Sequence, residues 1–168
     1  MIKAHIEALV MGAMPGASIV ILRPMPEEGQ SECVVPICIG LVEAAAIAKA
    51  INHERTARPM THSLVGNIVT QLGGRVVKVT IDKVRGTIFY ATIHIQRGDT
   101  VNKIDARPSD ALAIAVRLNA PIYIDESVVA SASYPIWVNM TQEQQDAEIE
   151  EFHAFVESLS PSDFVTGE

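Results

Sequence analysis

Positive charge is scarce in this sequence, and its scarcity excludes a class of partners. Thirteen Lys and Arg stand against twenty Asp and Glu, for a formal net charge of −7. That balance argues against an evenly basic nucleic-acid binder and leaves room only for a local basic patch. Aromatic residues make up 5% of the chain, so the core must be built from Ile, Val, Ala and Leu, and few rings are on hand to stack on bases. Cysteine is limited to Cys33 and Cys38. They fall on opposite faces of one strand, a spacing that suits neither a disulfide nor a zinc pair, so both are expected as reduced thiols in a cytoplasmic protein. Long apolar runs are missing too. The start, MIKAHIEALVMGAMPGASIVIL, carries Lys3, His5 and Glu7 and is broken at Pro15-Gly16, which fits neither a signal peptide nor a membrane span. There is no Gly-rich phosphate loop, nucleophile elbow, paired-cysteine metal site or HExxH motif. Function must therefore come from scattered polar groups that the fold gathers.

What the chain does have is apolar bulk. It is 48% hydrophobic over 168 residues, enough for one domain with a proper core and a small appendage. Its mean hydropathy of +0.22 is high for a chain with 20% charged residues, so part of the apolar surface is expected to close a homo-oligomer interface.

Alternation and turn residues predict strands over 2–11, 18–25 and 32–39, with Pro36 marking an edge or bulge. Leu41–Asn52 is an Ala-rich helix, and Thr61 N-caps a second helix that runs to about Leu72 and stops at Gly73-Gly74. Strands 75–82, 86–96 and 100–104 follow as an antiparallel meander with turns at 83–85 and 97–99. The centre of the chain is KIDARPSDALAIAVRLNAPIYID, residues 103–125. Here a strand ends, Ser109 offers an N-cap, Asp110 favours the positive end of a helix, and an Ala-rich helix apolar on nearly every face leads to another strand. A short helix over 126–132 and an acidic amphipathic helix over 141–159 complete the chain. The expected architecture is α+β: a mixed, largely antiparallel sheet packed against Ala-rich helices, one compact domain over 1–138, with an acidic helix and tail over 139–168. Two echoes suggest duplication of a strand–helix unit: Glu43-Ala44-Ala45-Ala46-Ile47-Ala48 against Asp110-Ala111-Leu112-Ala113-Ile114-Ala115, and Ala57-Arg58-Pro59 against Ala106-Arg107-Pro108. Chance matches in an Ala-rich chain are the alternative.

Two carboxylates and an arginine crowd the entrance to the central helix. Asp105 and Asp110 together suit a hard divalent cation such as Mg²⁺ or Mn²⁺, with Ser109 or water completing the shell. Such an ion generates hydroxide and stabilises a phosphoryl transition state, while Arg58 and Arg107 supply bidentate contacts to phosphate. His62, beside Thr61, suits a general base or a metal ligand. Each has a structural alternative. Asp110 can simply support its helix, Arg107 can pair with Asp105, and His62 can be a hydrogen-bonding residue. Glu43 is most simply another first-turn carboxylate, and Arg117 suits the negative end of its helix.

At RPMTH (Arg58–His62), FYATIHI (Phe89–Ile95) and above all IDARPSDALAIAVRLNAPIYI (Ile104–Ile124), the sequence resembles the bifunctional nuclease family over about residues 1–132. The motif is carried here by Asp105, Arg107, Pro108, Ser109, Asp110, Ala111, Ala113, Ala115 and Arg117. The resemblance implies a compact, often oligomeric α+β domain, with relatives in plants described as acting on RNA and DNA. Two functions follow. One is a metal-assisted, sequence-tolerant nuclease with His62, Asp105, Arg107 and Asp110 in catalysis and Arg58 and Ser109 holding substrate. The other is a non-catalytic binding or regulatory module of the same family. An open cleft with Asp105 and Asp110 converging favours the enzyme, and a closed hydrogen-bonded knot favours the module.

Overall fold

The computed structural model describes residues 1–25, 33–54 and 56–135, and for Met14 the backbone alone. The expected helix over 141–159 and its Ile149/Phe152/Val156/Leu159 stripe lie outside the described residues.

The described chain runs β1 (Ile2–Met14), β2 (Ala17–Pro24), β3 (Cys33–Gly40), α1 (Leu41–Ile51), α2 (Thr61–Gln71), β4 (Arg75–Arg85), β5 (Ile88–Arg97), β6 (Thr100–Ala106), α3 (Pro108–Leu118), β7 (Ile122–Ile124), α4 (Glu126–Ala132) and β8 (Tyr134–Pro135). The strands form one eight-stranded sheet in the order β6-β5-β4-β7-β1-β2-β3-β8. Only β4 and β7 pair parallel, because α3 carries the chain from the edge strand β6 back across the sheet. This is the mixed, largely antiparallel α+β architecture that the sequence predicts. β8 pairs with β3 at Cys33 and Val34 only, so Pro36 lies where β3 has become an edge and its missing N–H costs nothing. α4 packs on both β3 and β4, which stand far apart in strand order, so the sheet curls strongly around the helices.

The meander runs further than the sequence suggested. Lys83–Arg85 is strand rather than turn, and the hairpin closes at Gly86-Thr87 between the paired residues Arg85 and Ile88. Gly86 takes φ +57°, a left-handed conformation that Lys83 to Arg85 could adopt only at a steric cost. A bulge at Asp82 absorbs the extra residue.

One sheet face and the helices enclose the core. Val79 and Ile81 of β4, Ala91 and Ile93 of β5, and Ile122 and Ile124 of β7 point inward with Ile47 of α1 and Leu112, Ile114 and Ala115 of α3. Small side chains on α3 are what allow it to lie close to both α1 and the strands: Ala111, Ala113 and Ala115 are all buried. Ala115 has no exposed surface, so Ala115→Leu should overpack this layer and destabilise by about 1–3 kcal/mol, read as a lowered thermal midpoint. An unchanged melting curve would count against the packing described.

Candidate functional site

α1 and α3 pack side by side, and each follows a strand almost without a loop: β3 ends at Gly40, the N-cap of α1, and β6 ends one residue before Arg107, the N-cap of α3. The third helical residue is acidic in both, Glu43 in α1 and Asp110 in α3, where a carboxylate suits the helix dipole. Glu43 folds back over its own N-cap, and its carboxylate lies where a Cβ on Gly40 would stand.

Arg107 joins the two acids. Its Nε donates to Asp110 Oδ2 at 2.8 Å, one terminal nitrogen donates to Asp110 Oδ1 at 3.2 Å, and the other lies 3.1 Å from Glu43 Oε1. His62, in the first turn of α2, bonds Asp110 Oδ1 through Nε2 at 3.0 Å. Four groups from three separate stretches thus form one string, His62–Asp110–Arg107–Glu43. Burial pulls the Asp110 carboxyl up, but the hydrogen bonds and charges of Arg107 and His62 outweigh it and hold it below the ordinary carboxylate range. The Asp110 hydrogen bond in turn raises Arg107, against the pull of its own partial burial, so the guanidinium stays charged. The His62 and Glu43 side chains at the two ends are 19% and 23% exposed, while Arg107 between them is 66% exposed, so the guanidinium is the open part of the cluster. With Nε2 engaged, Nδ1 is the His62 nitrogen left for proton transfer. His62 also lines a crevice of about 20 Å³ with Lys49, Met60, Ser63 and Arg117, room for a single water.

The structure gathers some of the expected residues and separates others. His62, Arg107 and Asp110 meet. Asp105 does not join them: from β6 it pairs with Thr92 of β5, and the alternation of its strand turns it to the sheet face opposite the helices. Ser109 is 5% exposed, inside α3 rather than capping it, because Pro108 takes the first helical position and leaves Arg107 as N-cap. Thr61 likewise lies one residue inside α2, whose N-cap is Met60. Arg58 is exposed in the connector, where its carbonyl accepts from the Thr56 hydroxyl. Arg117 donates to the carbonyl of Glu54.

Glu43 is the residue that sequence reasoning undervalued. Its signal was the internal echo, which aligns Glu43 with Asp110; in space the two occupy equivalent helix positions on either side of one guanidinium. As arranged, no three His, Cys, Asp or Glu among the described residues are placed to hold a metal ion. Asp105 and Asp110 are not side by side, and both Asp110 oxygens are already bonded, so no metal-dependent step follows from this geometry.

Fold and site together define an α+β domain whose paired helix starts present a histidine–carboxylate–arginine string at the surface. Comparison with known proteins places it further. The family model described as the bifunctional nuclease domain matches residues 20–137, and the chain belongs to that family. A protein of Mycobacterium tuberculosis described only as uncharacterised is 38% identical over 141 residues, covering 82% of this chain and 84% of its own. Bifunctional nuclease 2 of Oryza sativa subsp. japonica is 32% identical over 107 residues, 62% of this chain and 33% of that one. Bifunctional nuclease 1 of Arabidopsis thaliana is 26% identical over 101 residues, 58% of this chain and 31% of that one. No helix among the described residues is long and apolar enough to cross a membrane.

Proposed function

We propose that the chain cleaves phosphodiesters of RNA and DNA with little sequence preference, at the cluster centred on Asp110. The observation that carries this reading is the His62–Asp110–Arg107 string, assembled in a member of the bifunctional nuclease family. A phosphodiester needs a base for the attacking water and positive charge on the non-bridging oxygens as negative charge builds there. His62 takes the proton at Nδ1, Asp110 holds the ring and stabilises the imidazolium, and the exposed edge of Arg107 contacts phosphate. Arg58 lies in the connector that leads into α2 and is a further phosphate contact for a bound strand.

A second reading has its own observation. Both Asp110 oxygens are spent on Arg107 and His62, and this closed knot is the arrangement expected of a non-catalytic binding or regulatory module. The test is cleavage of labelled RNA and single-stranded DNA by the purified full chain in Mg²⁺, in Mn²⁺ and with chelator. Cleavage that falls at least about a hundredfold in His62→Gln, with the fold intact by circular dichroism, supports the nuclease. Wild type that never cleaves in any of these conditions leaves the module.

Homo-oligomerisation belongs to the same proposal. Leu64, Val65 and Ile68 of α2, with Leu72 after it, form one helical stripe that stays 38–64% exposed among the described residues. Light scattering should give a mass above the 18.2 kDa of one chain. A monomer at every concentration would reject assembly.

A further inference from the structure

The charge of this chain is unevenly spread. Residues 136–168 contain no Lys or Arg and several carboxylates, so the negative balance is concentrated there and the rest of the chain is near neutral. Within that remainder, one surface collects cations. Strand alternation that sends Val79, Ile81, Ala91 and Ile93 into the core sends their neighbours to the opposite sheet face. There β4 contributes Arg75, Lys78, Lys83 and Arg85, and Lys103 stands on β6 across from His94. Only Asp82 and Asp105 oppose them on these three strands, and Asp82 is already bonded by the Thr92 hydroxyl.

The same face carries two of the few aromatic rings. Tyr90 pairs with Lys83 across the β4–β5 ladder, and Tyr123 pairs with Thr80 across the β4–β7 ladder. Each ring lies under a cation: Lys83 Nζ is 4.6 Å from the Tyr90 centroid, Lys78 Nζ is 5.6 Å from that of Tyr123, and the Arg85 guanidinium carbon is 6.0 Å from Tyr90. Tyr90 and Tyr123 stand on the strands either side of β4, level with Lys83 and Thr80 respectively. Between them lie Thr80 and the Asp82–Thr92 pair, and the buried Thr80 hydroxyl is joined to His94, level with Lys78, at 3.1 Å.

From this juxtaposition we infer that the outer face of β4–β7 is a binding platform for single-stranded nucleic acid, separate from the Asp110 cluster. Bases stack on Tyr90 and Tyr123, and the lysines now over the rings move aside to the phosphates. Single strands are the partner that uses both features, since unstacked bases present a flat apolar face and each phosphate a negative charge. A duplex hides its base faces, and the carboxylate side chains of an acidic peptide present no flat apolar face to the tyrosines. The local excess of cations is the patch that an acidic chain still permits.

The inference stands apart from the nuclease reading, and its test measures binding alone. The full chain is titrated against fluorescein-labelled oligothymidylate in chelator and monitored by anisotropy. Binding should weaken steeply with salt and be tighter than to a duplex of equal length. Tyr123→Leu should weaken it about tenfold. The pair Lys83→Glu and Arg85→Glu should weaken it further and flatten the salt dependence, with melting curves confirming folded protein. Absent binding, a preference for duplex, equal competition by polyglutamate, or folded variants that bind like wild type would each overturn the platform. Binding without cleavage keeps this inference and loses the nuclease; cleavage without the tyrosine and lysine effects does the reverse.

Discussion

Leu112→Ala should destabilise the domain by about 2–5 kcal/mol, the largest stability loss expected from any single truncation in the central helix. Leu112 has no exposed surface and belongs to the cluster in which α3 meets the strands. Its neighbours Ala111 and Ala113 are too small to fill the gap, so the cavity would persist rather than collapse. Because α3 also carries Arg107 and Asp110 at its start, a loosened helix should weaken the cluster as well. Denaturant unfolding monitored by circular dichroism reads the effect. A midpoint near that of wild type would mean that α3 is not the buried centre of the domain.

Why α3 could be recognised in the sequence, and the cluster only in part, follows from what local pattern encodes. Apolar runs and turn residues are set within a few residues, so the α+β class, the meander and the two Ala-rich helices could be read directly. The turn at Gly86 was misplaced because Lys83 and Arg85 are polar yet sit on the open sheet face, where polarity carries no turn signal. Asp110, Arg107 and His62 were recognisable as chemistry-bearing groups. Which of them touch depended on the packing of α1, α2 and α3, and no local spacing encodes that. Asp105 shows the limit most clearly: five residues from Asp110 in sequence, it is turned away by the two-residue period of β6. Glu43, far away in sequence, is brought to the same guanidinium by helix packing.

Asp110→Asn should reduce cleavage by at least about a hundredfold and also lower stability by about 1–2 kcal/mol, because the carboxylate serves both ends of the string. Asparagine keeps the size but replaces one acceptor oxygen with an amide donor, which then faces either Arg107 or His62, both donors in this arrangement. The stability term has a pH signature. The folded carboxyl titrates below its unfolded value, so its contribution is complete above about pH 4 and is lost as pH falls through the folded pKa. The gap in melting temperature between wild type and Asp110→Asn should therefore close in acid. His62→Gln removes the proton acceptor while leaving the Arg107–Asp110 pair in place, so it should match Asp110→Asn in lost cleavage and fall short of it in lost stability. If Asp110→Asn cleaves as well as wild type, the cluster is not the site of hydrolysis. If the melting gap persists unchanged in acid, the Arg107–Asp110–His62 charge network is not what Asp110 contributes to the fold.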